Sequence, residues 1–166
     1  MTTSRLRPTV AGLVVKPENP YPLIGIHWPK KAAQCGEGNL STAGGGIHSD
    51  ETPEAAMLRE LREEYRITGA EVTMMGHPRW EFGGKLYTWC LVKCLTGPDP
   101  RVNRAEVASF GWYSAPEQLR VAVQAMHDNK RYMFIRALSI AAQLEPELFV
   151  RYKRAIKQRK QVSEFV

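Results

Sequence analysis

Residues 45–67, GGIHSDETPEAAMLRELREEYRI, place three carboxylates at Glu60, Glu63 and Glu64, just after a glycine-rich turn, Ala43-Gly44-Gly45-Gly46. Thr52 is a good N-cap, Pro53 suits the first helical position, and Glu54 lies near the positive end of the dipole. The spacing predicts a helix to about Tyr65, with Ala55, Leu58, Leu61 and Tyr65 as its apolar stripe and the glutamates facing away from it. On such a helix i, i+3 and i+4 share one face, so the three side chains crowd within a turn. Like charges that close repel, and a divalent cation would offset the repulsion; hard oxygen ligands suit magnesium, with manganese as an alternative. Glycines before the helix let backbone approach a ligand without a Cβ in the way. Together these features point to metal-assisted chemistry on a phosphate anhydride. Taken alone, LRELREEYR also fits a solvated helix held by i, i+4 ion pairs.

The segment resembles the Nudix box, G-x5-E-x7-R-E-U-x-E-E-x-G-U with U aliphatic, on Gly45, Glu51, Arg59, Glu60, Leu61, Glu63, Glu64 and Ile67. Arg66 stands where the family usually has glycine. The resemblance implies an α/β fold, an α/β/α sandwich around a mixed β-sheet with additional C-terminal helices. It implies Glu60, Glu63 and Glu64 as metal ligands, with Gly44 offering its carbonyl, and Glu60 and Glu63 as catalytic carboxylates. Arg59 would support Glu51 by an ion pair. Glu106, ahead of the segment ending in Trp112, matches a position where related enzymes carry a further metal-binding or base-like glutamate; an ordinary surface glutamate beside Arg104 is the other reading. The opening Arg7-Pro8-Thr9-Val10 and the Glu106 to Trp112 spacing resemble the RNA 5′-pyrophosphohydrolase and dinucleoside-polyphosphate hydrolase branch. By that analogy Arg7 contacts phosphate, a solvated arginine beside the first strand being the other reading; Gly45 and Gly46, in the turn where backbone can approach a ligand, are the further substrate contacts expected. Leu40 and Ala43 depart from the branch, where Trp and Pro are common.

The implied activity is magnesium-dependent hydrolysis of a diphosphate linkage in a nucleoside diphosphate joined to another group, dinucleoside polyphosphates and RNA 5′-triphosphate ends included. The partner is thus a nucleotide or polyphosphate, with an RNA 5′ end as a candidate. One alternative is a housekeeping hydrolase of ADP-ribose, nucleotide sugars or oxidised nucleoside triphosphates. Another, of a different class, is a non-catalytic nucleotide-sensing module of the same fold.

Outward from the box, Thr9–Val15 and Leu23–His27 read as strands, followed by a polar, glycine-rich loop over 29–46. Val72–Met75 and Lys85–Lys93 read as strands joined through His77–Gly84, with Gly83-Gly84 as the turn, and Val107–Tyr113 as another. Pro116 opens a helix to about His127. Asn129 caps the next, to about Leu144, with Tyr132, Ile135, Leu138 and Ala142 on its apolar side. After Pro146, Leu148, Tyr152 and Ile156 share one face of an amphipathic stretch. Residues 1–145 would form the hydrolase domain and 146–166 a basic tail, with six cations between Arg151 and Lys160. Trp80, Phe82, Tyr87 and Trp89 offer either a stacking surface for a base or cross-strand packing. His48 stands beside the box as a substrate contact or a solvated loop residue.

The 166 residues suffice for about one domain and one substantial core. No run of eighteen apolar residues occurs, which excludes a spanning helix, and the N-terminus lacks the apolar core of a secretory signal. Cys35, Cys90 and Cys94 have no metal-ligand spacing, and a reducing cytoplasm fits them best, with Cys90 and Cys94 as buried thiols. Net charge is +6, yet residues 50–64 hold six acids against two arginines. The basic surface therefore surrounds a locally acidic site, as suits a polyanionic substrate.

Overall fold

The computed structural model describes residues 6–18, 22–31, 40–76, 79–95, 100–114 and 116–150. Strand β1 (Arg7–Lys16) is central because it is apolar on both sides: Val10 and Val14 are buried on one face, Leu13 and Val15 on the other. It pairs antiparallel with β2 (Leu23–Pro29) and, along its first half, with β3 (Gly44–Gly46). Its other neighbour is parallel: β6 (Lys85–Cys94) runs alongside from Arg7↔Lys85 to Val15↔Lys93. With β4 (Ala70–Met74) outside β6 and β7 (Val107–Tyr113) outside β2, the order is β4-β6-β1-β2-β7. One parallel pairing among antiparallel ones makes the sheet mixed, as the resemblance implied.

Helix α1 (Pro53–Tyr65) covers one face, over Val10, Val14, Cys90 and Val92. It starts as the sequence predicts: Thr52 accepts from the Ala55 N–H, with Pro53 at the head of the helix. At Gly12 the helix lies close on the central strand, since a methyl there would stand 2.7 Å from Met57 Sδ. Helices α2 (Pro116–Gln124) and α3 (Asp128–Leu144) cover the other face, over Ala11, Leu13, Ile26, Trp89 and Leu91. The result is the α/β/α sandwich. Each fully buried Leu, Phe or Met side chain contributes about 1.5–3 kcal/mol to holding a layer in place.

Several expectations need correction. The buried face of α1 comprises Ala56, Met57, Leu61 and Tyr65, together with Glu60 and Glu64; Ala55 is exposed and Leu58 only partly covered. The glutamates therefore do not all point away from the packed side. Helix α3 buries Met133, Phe134, Ala137, Leu138, Ala141 and Ala142, leaving Tyr132 and Ile135 59% and 49% exposed. It is apolar on too much of its circumference for the pattern to choose a face. Its N-cap is His127, which accepts from the Asn129 N–H, and α2 ends sooner than predicted, at Gln124. The connection before Gly83-Gly84 holds a further strand, β5 (Trp80–Phe82), paired with β6. Residues 146–150 are helical, with Phe149 fully buried and Leu148 packed at the core's margin. Cys90 and Cys94 are buried free thiols, as expected. Cys35, His77 and the basic stretch from Arg151 onward, with Tyr152 and Ile156, lie outside the described residues. Among the described residues no helix is long and apolar enough to cross a membrane.

Candidate active site

The three box carboxylates meet where the middle of α1 passes beneath β3. Glu60 and Glu64 are only 9% and 7% exposed, whereas the Glu63 side chain is 53% exposed. Burying two carboxylates on one turn is costly unless each is compensated. For Glu60 the compensation is Arg59, whose Nη1 donates to Glu60 Oε1 at 2.7 Å and to Glu63 Oε2 at 3.2 Å.

The same guanidinium reaches the loop. Its Nε and Nη2 grip Glu51 at 3.2 and 2.8 Å, and Nη2 also donates to the Gly46 carbonyl at 2.8 Å. A planar fork of five donors can hold a carboxylate bidentately and still serve other acceptors, which a lysine cannot. Arg59 thereby ties the loop, β3 and two carboxylates into one unit, and the expected Arg59–Glu51 pair is present. Glu51 is held down at about 2, first by Arg59 and then by the His48 N–H. His48 is thus engaged with Glu51, through that N–H at 2.9 Å and its ring at 3.7 Å.

Glu64 has no such cation among the described residues. Burial pushes its carboxyl up to about 8; the charge of Glu60 and, more weakly, of Glu106 adds to this, against the Gly44 N–H and Tyr65. The Gly44 contact is long, 3.4 Å, and is made by its N–H, which leaves the carbonyl out of that bond. Glu106 is exposed, held by Asn103 Nδ2 at 3.1 Å, and its loop is fastened to the end of α1 by Asn103 N–H donating to the Glu64 carbonyl at 2.7 Å. It lies near enough to raise Glu64, so the structure brings it to the same cluster.

Two glycines are required here. Gly44 has φ +151°, and a Cβ on it would stand 2.2 Å from the Val10 carbonyl oxygen. A Cβ on Gly45 would stand 2.1 Å from Glu60 Oε1. Backbone and carboxylate therefore touch directly. Among the described residues no group of His, Cys, Asp and Glu is already closed around a metal position. The donor set nevertheless fits a hard divalent cation: two buried carboxylates and one open one on adjacent turns, one of them without a compensating charge.

At the C-terminus of α1, Arg66 takes the left-handed conformation, φ 59° and ψ 25°. Its N–H donates to the Arg62 carbonyl and that of Ile67 to the Leu61 carbonyl, both at 3.1 Å. This is the turn a glycine would make there, so the departure from the box leaves the local shape intact.

Sequence reasoning missed a buried pair behind the helix. His27 Nδ1 is hydrogen-bonded to the Tyr65 hydroxyl, and burial, with a smaller push from Lys130, holds His27 down at about 4. The only hint was a histidine inside an aliphatic strand. Arg7 is exposed at the start of β1, level with Lys85 on β6. The aromatic group serves mainly as packing: Trp80 meets Trp89 edge-on at 6.2 Å and Phe82 lies against His127. Tyr87 and Trp89 also line a cavity bordered by Gly44 and Gly45.

Residues 6–138 match the family model described as the NUDIX domain. No curated protein matches the chain. Among solved structures, a Nudix hydrolase from M. smegmatis, RenU, is 18% identical, with TM-score 0.61 over 82% of this chain and 86% of its own. A MutT protein from Methanosarcina mazei is 17% identical, with TM-score 0.59 over 79% and 91%. An Ap4A hydrolase from C. elegans is 14% identical, with TM-score 0.58 over 81% and 96%.

Proposed function

Since the chain belongs to the NUDIX domain family and is a Nudix pyrophosphohydrolase, we propose that it hydrolyses a diphosphate linkage in a nucleoside diphosphate joined to another group, with magnesium as its cofactor. The observation that carries this is the Glu60–Glu63–Glu64 cluster, clamped by Arg59 and packed directly against a strand of glycines.

Glu60, Glu63 and Glu64 would hold the cation, which when bound neutralises phosphate charge and makes water more acidic. Arg59 is a positioning residue: it fixes the rotamers of Glu60 and Glu63 and the height of the loop through Glu51 and Gly46. Water attacks one phosphorus, its proton passes to a carboxylate, and the bridging oxygen leaves with the other phosphate. The acceptor must be reachable by water. Glu63 and Glu106 satisfy this by their exposure, while Glu60 is buried with one oxygen engaged by Arg59. The general base is therefore drawn from Glu63 and Glu106.

The fold neighbour that acts on Ap4A and the net charge of +6 both favour a polyanionic substrate, such as a dinucleoside polyphosphate or an RNA 5′ end. The test is a magnesium-supplemented panel of dinucleoside polyphosphates, 5′-triphosphorylated RNA, ADP-ribose, nucleotide sugars and oxidised nucleoside triphosphates, with products identified. Preferred turnover of the polyphosphate members supports the proposal. Preference for ADP-ribose or nucleotide sugars replaces it with the housekeeping alternative.

A further inference from the structure

Across the glycine strand from the carboxylates, on the α2/α3 face of the sheet, lies a cavity of about 130 Å³. Among the described residues two lysines line it, Lys85 at the start of β6 and Lys130 in the first turn of α3, and no acid does. Both are partly buried. Lys130 Nζ donates to Ser41 Oγ at 3.4 Å, and among the described residues neither lysine forms a salt bridge. Lys93, on the same strand as Lys85, shows how the fold treats a covered lysine elsewhere: it is held by Glu145 at 2.7 Å and Glu71 at 3.3 Å. Burial lowers the pKa of Lys130, and the charge of Lys85 lowers it further. Two cations in one recess with no counter-ion among the described residues cost free energy, and an anion would relieve it.

The neighbouring groups favour an anion there. Ser41 and Thr42 bring hydroxyls to the wall, and Gly44 and Gly45 belong both to this wall and to the carboxylate site. Arg7 stands level with Lys85 on the adjoining strand. Trp89, also on the wall, has a buried indole N–H without a partner.

We propose that Lys85, Lys130 and Ser41 form a phosphate subsite that holds a phosphoryl group of the substrate beyond the scissile anhydride, and so selects substrates whose distal half is charged. This rests on the hydrolase reading for the position of the anhydride. The recess itself binds phosphate whether or not turnover occurs.

The experiment is calorimetric titration of inorganic tripolyphosphate into the full chain with a chelator present, so that the carboxylate site takes no part. Wild type is compared with Lys85→Met and Lys130→Met, which keep the aliphatic stem, and with Lys130→Gln should the methionine variant fail to fold. Each substitution is expected to weaken tripolyphosphate binding about tenfold or more, the scale of one charge-assisted contact. With magnesium restored, KM for a dinucleoside tetraphosphate should rise in parallel, while KM for ADP-ribose, uncharged beyond its two phosphates, should not move. Unchanged tripolyphosphate affinity in the variants, or an equal rise in both KM values, overturns the subsite. Lysine-dependent tripolyphosphate binding in a protein that turns over none of the panel would sustain the subsite and refute the hydrolase reading.

Discussion

Replacing Gly45 by alanine tests how tightly the backbone and the Glu60 carboxylate, proposed to hold the metal, are fitted. The Gly45 backbone does not have the positive φ that penalises a side chain, so the conflict is the added methyl, 2.1 Å from Glu60 Oε1 and 2.4 Å from its carboxyl carbon. Ordinary contact begins near 3.4 Å, so the carboxylate must retreat by about 1.3 Å. It has little freedom to do so, being 9% exposed and bonded to Arg59 at 2.7 Å. Loosening that charged hydrogen bond should cost about 1–3 kcal/mol of stability. Misplacing a catalytic group by about 1 Å should lower kcat about 100-fold. Steady-state kinetics in saturating magnesium reads the second effect, and thermal or denaturant unfolding the first. Glu60→Asp supplies the control, because the shortened side chain withdraws the carboxylate from the methyl. Gly45→Ala should therefore destabilise the Glu60 protein much more than the Glu60→Asp protein, a coupling of the kind double-mutant cycles resolve. Near-wild-type kcat in Gly45→Ala, or equal destabilisation in both backgrounds, would refute the reasoning.

Arg66→Gly should stabilise the protein by about 1 kcal/mol, raising Tm by about 3 °C, because the left-handed turn penalises any residue with a Cβ; a lower Tm would show that Arg66 contributes more than its backbone costs. His27 takes up its proton near 6.5 when unfolded but only near 4 when folded, so the unfolded state binds more protons between those values. Its contribution is therefore complete above pH 6.5 and lost as pH falls from there toward 4, amounting to about 2–3 kcal/mol by pH 4.5. Denaturant melts of wild type and His27→Asn at pH 7.5 and 4.5 check this, and equal losses in both would contradict it. Charge reversal at Lys153, Lys157 and Lys160 should raise KM for RNA or polyphosphate and flatten its salt dependence if the basic tail meets substrate phosphates; unchanged values would deny the tail that role.

What the sequence revealed and what it hid have separate physical causes. The Arg59 clamp, and the metal ligation proposed for the glutamates, call for residue types at fixed spacing, so Glu51, Arg59, Glu60, Glu63 and Glu64 could be read directly. The N-cap at Thr52 and the aliphatic run of β1 were legible because each is a local signal. The buried face of α1 was not, since hydrophobicity alone puts glutamates outward; only Arg59 and the missing Gly45 side chain make room for Glu60 inside. For α3 the pattern was ambiguous, with exposed Tyr132 and Ile135 as apolar as buried Met133 and Phe134. The tertiary groupings, His27 with Tyr65 and Lys85 facing Lys130, join residues far apart in the chain. No spacing rule announces such pairs.

The most direct measurement is kcat of Glu63→Gln beside wild type, on the best substrate of the panel at saturating magnesium. Glu63 is the most open of the three box glutamates, so its amide should leave the fold and Tm unchanged and isolate the chemistry. A drop of about 1,000-fold or more is predicted, the scale of losing a catalytic or charge-stabilising group. Turnover close to wild type would contradict the account.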